Sequence, residues 1–448
     1  MLLTLVPTAC RRAFLVTLVA CWAAAPDVAA APIQGSGQDI GQGRRILFVR
    51  GGAGSGGFLE GGADEQLCDI DDFSVSSGNH GFGELAELLR GDGWVVEQVV
   101  EPDSPELPVR LAHLDLGQIS VLVMGSNNAT YTPADVALLS RFVWSGGGVL
   151  LISDANWGSG WGDAPSSDQG FCSTFDMVVN QDRGTYVLRR SSGDFVIGGV
   201  DQGTHPILVG VDGLLGTDDD VDTIDGEGVS PLTVTSLLPT VDPKVLVRAK
   251  GTIRLNDNPN GGSTRNSGVD DGALVAATFG AGRVAGHFDR NTFFNQNGAG
   301  TSLHRFDNSK YARSLFKWLA GPLVQEFGQG KLSSAGDRPL LGARGASSQS
   351  AGLFEVVVHE AVPDRVGLFI HGSGFADRPF QGGSLFVSRL RRLPPLQVDL
   401  MGKAVQSFPV ESVLVGTRRY FQFWYRDHDD PAGFGSGLSN ALRVAFVP

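Results

Sequence analysis

Two side chains that could exchange protons with a ligand, Asp154 and His287, each follow an apolar run of the kind that forms a buried strand. The runs are VLLIS at 149–153 and RVAG at 283–286. Because ligands bind at the carboxyl ends of the strands in open α/β sheets, we expect both side chains to face one pocket. A hydrolase would use Asp154 as a base or nucleophile and His287 as its acid/base partner.

The same rule places further polar residues at this edge, as ligand-binding groups. They are Arg50, His80, Glu84, Asn127, Asn128, Asn156, Asp289 and Arg290. Such a set suits a neutral polyol such as a sugar, or a carboxylate, because amide and carboxylate groups form directional hydrogen bonds and Trp157 or Trp161 could stack on a sugar ring. The alternative is structural, since Asp and Asn at strand ends often cap helices or bind loop backbone.

An acidic loop carries aspartates at alternate positions, Asp218, Asp220 and Asp222, and oxygen-preferring cations such as calcium are bound by such a pattern. The loop departs from the EF-hand pattern, because Thr223 stands where glycine is required and Val229 where the final glutamate is required. A solvated acidic turn is therefore favoured over a calcium site.

The first 31 residues have the composition of an export signal. Arg11 and Arg12 precede an apolar stretch at 13–25 that is too short to span a membrane, and small residues follow it. We therefore expect a secreted protein, extracellular or periplasmic. The alternative is a lipoprotein, because the Leu-Val-Ala-Cys sequence that ends at Cys21 resembles a lipobox. No later segment reaches the ~18 apolar residues of a transmembrane helix.

Two cysteines, Cys68 and Cys172, lie beyond that segment. Two cysteines in an exported protein most often form one disulfide, and we expect that pairing here. A nucleophilic thiol is the alternative.

The elements that must position these residues alternate between strands and helices. Buried strands are predicted at 45–49, 94–100, 119–124 and 149–153, and helices at 83–90, from Thr132 onward and at 308–321. This order is typical of βαβ units. It predicts an α/β domain at 44–326 with a mostly parallel sheet flanked by helices.

The rest of the chain divides by composition. Residues 32–43 are Gly-rich and predict a flexible lead-in, and the Gly- and Ser-rich residues 327–352 predict a linker. Residues 353–448 contain short apolar runs without a helical period. They predict a small all-β, sandwich-like domain.

The first domain resembles the class I glutamine amidotransferase-like superfamily, a flavodoxin-like architecture, and in particular its trehalose-utilisation-type (ThuA-like) branch. The segments that carry the resemblance are RILFVRGG, ISVLVMGSNNA, FVWSGGGVLLISDAN, THPILVGV and ATFGAGRVAGHFDRNTFF. The Trp-Tyr-Arg-Asp segment at 424–427 is similar to a motif in secreted bacterial proteins that add a C-terminal β domain.

The resemblance implies a ligand cleft without glutamine amidotransfer. An active member carries a G-x-C-x-G elbow after a central strand, whereas this chain reads ISDANWG at 152–158 and has no cysteine there. We therefore expect a ligand-binding protein or degenerate enzyme with a carbohydrate or cell-envelope ligand. An extracellular hydrolase that uses Asp154 and His287 is one alternative, and a structural cell-surface protein is another. The net charge of −13 disfavours nucleic acid as a partner, because an acidic surface repels phosphate.

Overall fold

The computed structural model describes most of the chain beyond the predicted export signal. The described residues are 40–50, 68–74, 81–101, 109–126, 131–153, 170–180, 184–196, 205–238, 240–249, 271–295, 302–349 and 354–447. Among these residues, none of the helices has both the length and the apolar character needed to cross a lipid bilayer.

The N-terminal part alternates strands with helices as the sequence predicts. Its elements are β1 (Arg45–Arg50), α1 (Gly83–Gly91), β2 (Val95–Val100), β3 (Val121–Ser126), α2 (Pro133–Trp144), β4 (Gly148–Ile152), β5 (Met177–Val179), β6 (Thr185–Arg189), β7 (Thr223–Glu227), β8 (Leu232–Val234), β9 (Lys244–Arg248), β10 (Gly272–Phe279), β11 (Gly282–His287) and α3 (Asn308–Ala320). Thr132 caps α2 as expected, with its hydroxyl oxygen accepting a hydrogen bond from the Asp135 N–H at 3.3 Å.

A nine-stranded sheet forms the centre of this domain, in the order β2-β1-β3-β4-β11-β10-β8-β5, with β9 also paired to β10. The pairs from β2 to β11 are parallel, whereas β10 runs antiparallel to its neighbours. The strands β6 and β7 form a separate two-stranded sheet. The predicted α/β architecture with a mostly parallel core is therefore confirmed.

Both faces of the sheet are covered by helices, which explains the continuous apolar runs of its strands. In β1, Ile46 and Phe48 face one apolar cluster, which includes residues of α1 and α3. Leu47 and Val49 face the other cluster, which includes residues of α2. Side chains alternate between the two faces along each strand, so one run fills both cores.

The predicted disulfide is wrong in this structure. Cys68 and Cys172 are both buried, and they do not form a disulfide with each other. Cys68 belongs to the core cluster on the α1/α3 face and Cys172 to the cluster on the α2 face. The central sheet therefore separates the two sulfurs, whose pairing was predicted from the expected compartment alone.

The C-terminal part consists mainly of strands, with a short 3-10 helix at Ser412–Leu414. The strands are β12 (Val324–Phe327), β13 (Leu340–Gly345), β14 (Phe354–His359), β15 (Val366–Gly372), β16 (Gly374–Phe380), β17 (Gly383–Ser388), β18 (Arg391–Arg392), β19 (Leu396–Gln397), β20 (Ala404–Phe408), β21 (Arg418–Arg426) and β22 (Ser436–Ala445). One sheet has the order β12-β22-β21-β15-β18 with β19 beside β15, and a second has the order β13-β14-β20. The hairpin β16-β17 is separate.

The two larger sheets pack face to face, as predicted for a sandwich. Phe354 and Val356 of the smaller sheet share one apolar cluster with Phe369, Phe421 and Phe423 of the larger sheet. The opposite face of the larger sheet is covered by the β16-β17 hairpin through a second cluster. Short alternating runs were sufficient to predict this all-β domain.

The boundary between the two domains differs from the prediction. Only residues 321–323 separate the end of α3 from β12, which already pairs with β22 of the sandwich. Leu340–Gly345, within the predicted linker, forms a strand of the smaller sheet by pairing with β14. The Gly- and Ser-rich composition suggested a linker because it does not show that β12 pairs with the distant β22 and that β13 pairs with β14.

The domains contact each other through a buried arginine. The Arg443 guanidinium donates to the Ala320 carbonyl at 3.4 Å, and its side chain is 1% exposed. A Cβ atom on Gly146, where φ is +98°, would lie 2.7 Å from the Arg443 guanidinium carbon. The approach of the sandwich to the end of α2 therefore requires glycine at this position.

Candidate functional site

The structure places the ends of β4 and β11 side by side, as the prediction of a shared pocket requires. Ile152 is the register partner of His287, and the Ser153 N–H donates to the His287 carbonyl at 2.8 Å. Of the predicted site residues, five lie outside the described part of the chain, namely His80, Asn127, Asn128, Asp154 and Asn156. Their ligand-binding and catalytic roles stay predictions.

The side chain of His287 lies inside the protein. Its side chain is fully buried, and both ring nitrogens are occupied, Nδ1 by the Tyr311 hydroxyl and Nε2 by the Thr292 hydroxyl, each at 3.0 Å. The Thr292 hydroxyl in turn donates to the Asp225 carbonyl at 2.7 Å. Because the Thr292 hydroxyl donates its own proton to Asp225, it accepts the proton of His287 Nε2. The ring is therefore the neutral Nε2–H tautomer, and the Tyr311 hydroxyl donates to Nδ1.

Burial also fixes the charge of this ring. It lowers the pKa of His287 to about 3, because the imidazolium would lose its hydration. A neutral, fully hydrogen-bonded ring away from solvent joins β11 to α3. His287 therefore lies at the predicted strand end as a buried, hydrogen-bonded residue, and its action on a ligand stays a prediction.

Asp289 and Arg290 are likewise inside the protein, with side chains 0% and 3% exposed. The Asp289 carboxylate accepts hydrogen bonds from the Glu227 N–H at 2.8 Å and the Asn291 N–H at 3.0 Å. These bonds fix the turn after β11 against β7. Asp289 therefore binds loop backbone, which was the structural alternative for aspartates at strand ends.

Arg50 and Glu84 are engaged with neighbouring loops. Arg50 forms an ion pair of 3.0 Å with Asp69, a residue of the segment that leads to α1. The Glu84 carboxylate lies 2.5 Å from the imidazole Nε2 of His304. Both predicted ligand-binding residues therefore have protein partners at the carboxyl edge of the sheet.

The acidic loop does not bring its carboxylates together. Asp220 is buried and accepts the Gly216 N–H at 2.7 Å, whereas Asp222 pairs with Arg190 at 2.8 Å. Asp218 is exposed. Within the described ranges no group of three or more His, Cys, Asp or Glu side chains could hold a metal ion. The calcium prediction thus gains no support from the described part of the loop.

One cavity, of about 630 Å³, lies between α2 and the β16-β17 hairpin, where the two domains meet. Its walls include Phe142, Phe279 and Phe375. These rings take part in core packing, for example the edge contact of Phe279 with Trp144 at 5.2 Å. We therefore interpret this cavity as a packing gap between the two domains, and we do not assign the candidate site to it.

A second cavity, of about 480 Å³, opens on the sandwich beside the Trp-Tyr-Arg-Asp segment. Aromatic and planar polar side chains line it together, including Gln381, Arg392, Trp424, Arg426, His428 and Phe434. Its volume falls within the range of small-molecule sites, roughly 300–1,000 Å³. We call it the Trp424 cavity.

The indole of Trp424 is held in one orientation. Its Nε1–H donates to Gln381 Oε1 at 3.0 Å, and Phe380 packs edge-on at 5.8 Å between ring centroids. The Arg392 guanidinium lies 5.8 Å from the ring centroid. Phe434, which also lines the cavity, is 57% exposed.

The loop that carries Phe434 is anchored by charged groups from a distant part of the chain. The Lys331 ammonium contacts Asp430 Oδ2 at 2.5 Å and donates to the Gln381 and Ser436 carbonyls at 2.7 and 2.8 Å. Asp430 also accepts the Phe434 N–H at 2.9 Å. The cavity wall is therefore preorganised before any ligand arrives.

Sequence reasoning singled out the Trp-Tyr-Arg-Asp segment but missed the cavity. A local signal was present in the Asp, Pro and Gly residues of RDHDDPAGFGSG at 426–437, which are typical of a loop held by its own side chains. No local signal showed that Lys331 anchors this loop.

No protein-family model matches the chain, and no curated protein matches it. Solved structures with a similar fold include the N-terminal domain of mmIFT52, with a TM-score of 0.36, 16% identity and coverage of 62% of this chain and 98% of that one. A protein from Parabacteroides merdae described as thua-like has a TM-score of 0.34, 12% identity and coverage of 62% and 90%.

A third structure, the exo-beta-1,4-mannosidase Op5Man5 from Opitutaceae bacterium strain TAV5, has a TM-score of 0.28 and 10% identity. It covers 62% of this chain, and this chain covers 36% of it. A ThuA-like protein is thus among the structural neighbours. Similarity at this level concerns the fold and carries neither family membership nor activity.

Proposed function

We propose that the protein is an exported carbohydrate-binding protein of the cell envelope, without amidotransferase activity, and that it binds its ligand in the Trp424 cavity. The observation that carries the proposal is the fixed indole of Trp424 beside an exposed Phe434 and the side chain of Gln381.

The chemistry of the cavity suits a sugar. The apolar face of a pyranose ring packs on an aromatic ring, and its hydroxyl groups exchange hydrogen bonds with planar polar groups. Arg392, Arg426 and His428 supply such groups around the aromatic side chains. Asp427 holds the strand end by accepting the Ser334 N–H at 2.8 Å, so the site rests on the rigid sandwich.

Export is supported by the sequence of the first 31 residues. Mass spectrometry of the exported protein tests it. A new N-terminus near Ala31 supports secretion, a lipid-modified N-terminus at Cys21 supports the anchored alternative, and an intact first Met in the cytoplasm rejects both.

A glycan array tests the ligand class. We expect the secreted protein to bind at least one envelope or extracellular polysaccharide, and Trp424→Ala to weaken this binding at least about tenfold, which is about 1.4 kcal/mol. Leu400→Ala is the matched control, since Leu400 is 82% exposed and does not line the cavity. Binding that is unaffected by Trp424→Ala would reject the cavity as the site.

A further inference from the structure

A third cavity, of about 560 Å³, lies at the other end of β15. Three arginines line it, Arg389, Arg391 and Arg419, together with His371 and the carboxylate of Glu411. It belongs to neither the sheet edge of the first domain nor the Trp424 cavity. This concave surface therefore carries an excess of positive charge, whereas the net charge of the whole chain is −13.

Strand pairing places the arginines around His371. Arg391 of β18 and Phe421 of β21 are the register partners of His371 on its two sides. Arg419 precedes Phe421 by two residues on β21 and so projects to the same face. Directly opposed residues of antiparallel strands share a face, so Arg391, His371 and Arg419 lie on the same face of this sheet.

The arginines of this cavity form no ion pair with an acidic side chain in the described part of the chain, although Glu411 also lines it. Among the described residues, no ion pair within 4.0 Å joins Arg389, Arg391 or Arg419 to an acidic side chain. Arg391 and Arg419 instead act on each other and on His371 as like charges, and burial together with these arginines lowers the pKa of His371 to about 4. Interacting like charges are unfavourable, and an anion bound between them would offset this cost.

His371 also presents an unused polar atom. Its ring packs against Phe408 at 5.1 Å and Phe421 at 5.8 Å between centroids. The Nδ1 atom is buried and has no hydrogen-bond partner in the described structure. A buried ring nitrogen without a partner is unfavourable, and a bound group that shares a proton with it would remove this cost.

We propose that this cavity binds a small oxyanion, a carboxylate, phosphate or sulfate group, between the guanidinium groups of Arg391 and Arg419. Guanidinium groups present paired N–H donors that match the oxygens of such anions. The inference does not depend on the carbohydrate proposal, because the two cavities share no lining residue.

Isothermal titration of the full chain with inorganic phosphate, inorganic sulfate and glucuronate in separate experiments tests the proposal. Binding of either inorganic ion identifies a site for a mineral or phosphoryl oxyanion, and binding of glucuronate alone identifies a sugar carboxylate. We expect Arg391→Gln to weaken that binding about tenfold or more. Arg389→Gln changes a second arginine of the cavity and tests the site independently. Because position 389 is exposed, the new glutamine side chain is not buried.

The control is Arg378→Gln, since Arg378 is exposed and lies outside the cavity. Binding that survives in Arg378→Gln and is lost in the cavity variants supports the site. The proposal is overturned if none of the three anions binds at about 10 mM. It is also overturned if Arg378→Gln weakens binding as much as Arg391→Gln, because general surface attraction would then explain the result.

Discussion

The ammonium of Lys331 lies 2.5 Å from the carboxylate of Asp430, although 99 residues separate them, and their side chains are only 3% and 0% exposed. Lys331 comes from a stretch whose composition predicts a linker, and Asp430 anchors the loop that carries Phe434. The wall of the Trp424 cavity thus depends on a contact between the two ends of the C-terminal part.

Lys331→Met tests this dependence. We expect it to lower the free energy of unfolding by about 3–5 kcal/mol, because it leaves the Asp430 carboxylate buried without its cation. Urea unfolding measures the change. The double variant Lys331→Met/Asp430→Asn is the control and should recover part of the loss, since it removes the uncompensated charge. A loss below about 1 kcal/mol in the single variant would contradict a structural role for the pair.

The burial of His287 predicts how the stability of the folded protein changes in acid. Its folded-state pKa of about 3 lies below the ordinary value of 6.5, so the stability it contributes is complete above pH 6.5 and is lost as the pH falls toward 3. His287→Asn removes this titration. We expect the variant to be less stable at neutral pH, because Tyr311 and Thr292 lose their partner, but to lose less stability between pH 6.5 and 4.

Urea unfolding of both proteins across this range measures the difference in slope, which is at most about 1.4 kcal/mol per pH unit. Parallel curves for wild type and His287→Asn would mean that the ring is hydrated or already charged. That result would favour the acid/base role predicted from the sequence.

Asp225 predicts the opposite dependence of stability on pH. Burial raises its pKa to about 7, although Asn308 donates to the carboxylate at 2.7 Å and Arg305 lies 3.2 Å from it. A raised folded-state pKa means that the contribution to stability is complete below pH 3.8 and is lost as the pH rises through 7. Asp225→Asn removes the charge that burial penalises.

We therefore expect the stability of Asp225→Asn relative to wild type to rise between pH 4 and 8, by no more than about 1.4 kcal/mol per unit. Thermal unfolding at constant ionic strength follows the difference, with Asp218→Asn as an exposed control from the same region. A relative stability that falls with pH would show that Arg305 keeps the carboxylate ionised.

The elements of the first domain could be predicted because their signals are local. The apolar run at 45–49 became β1 (Arg45–Arg50), and the Thr132-Pro133 pair began α2 as predicted. Such runs and caps depend on neighbouring residues alone. The overall architecture followed from the order of these elements.

The environments of the candidate site residues were less predictable because they depend on tertiary packing. The sequence placed His287 at a strand end, but only the packing of α3 directs it toward the Tyr311 hydroxyl and away from solvent. Exposure of Phe434 likewise depends on the anchoring of its loop by Lys331. Composition predicted a linker at 340–345, whereas these residues form a strand. Such a short strand is defined by its pairing with β14, which composition does not show.

The most direct test of the carbohydrate proposal is co-sedimentation of the secreted protein with insoluble envelope and extracellular polysaccharides, namely peptidoglycan, chitin and cellulose. We predict that wild type and Leu400→Ala sediment with at least one of them, whereas Trp424→Ala/Phe434→Ala stays in the supernatant as a folded protein with an unchanged circular dichroism spectrum. Failure of the wild-type protein to sediment with any polysaccharide, or equal sedimentation of the double variant, would contradict the account.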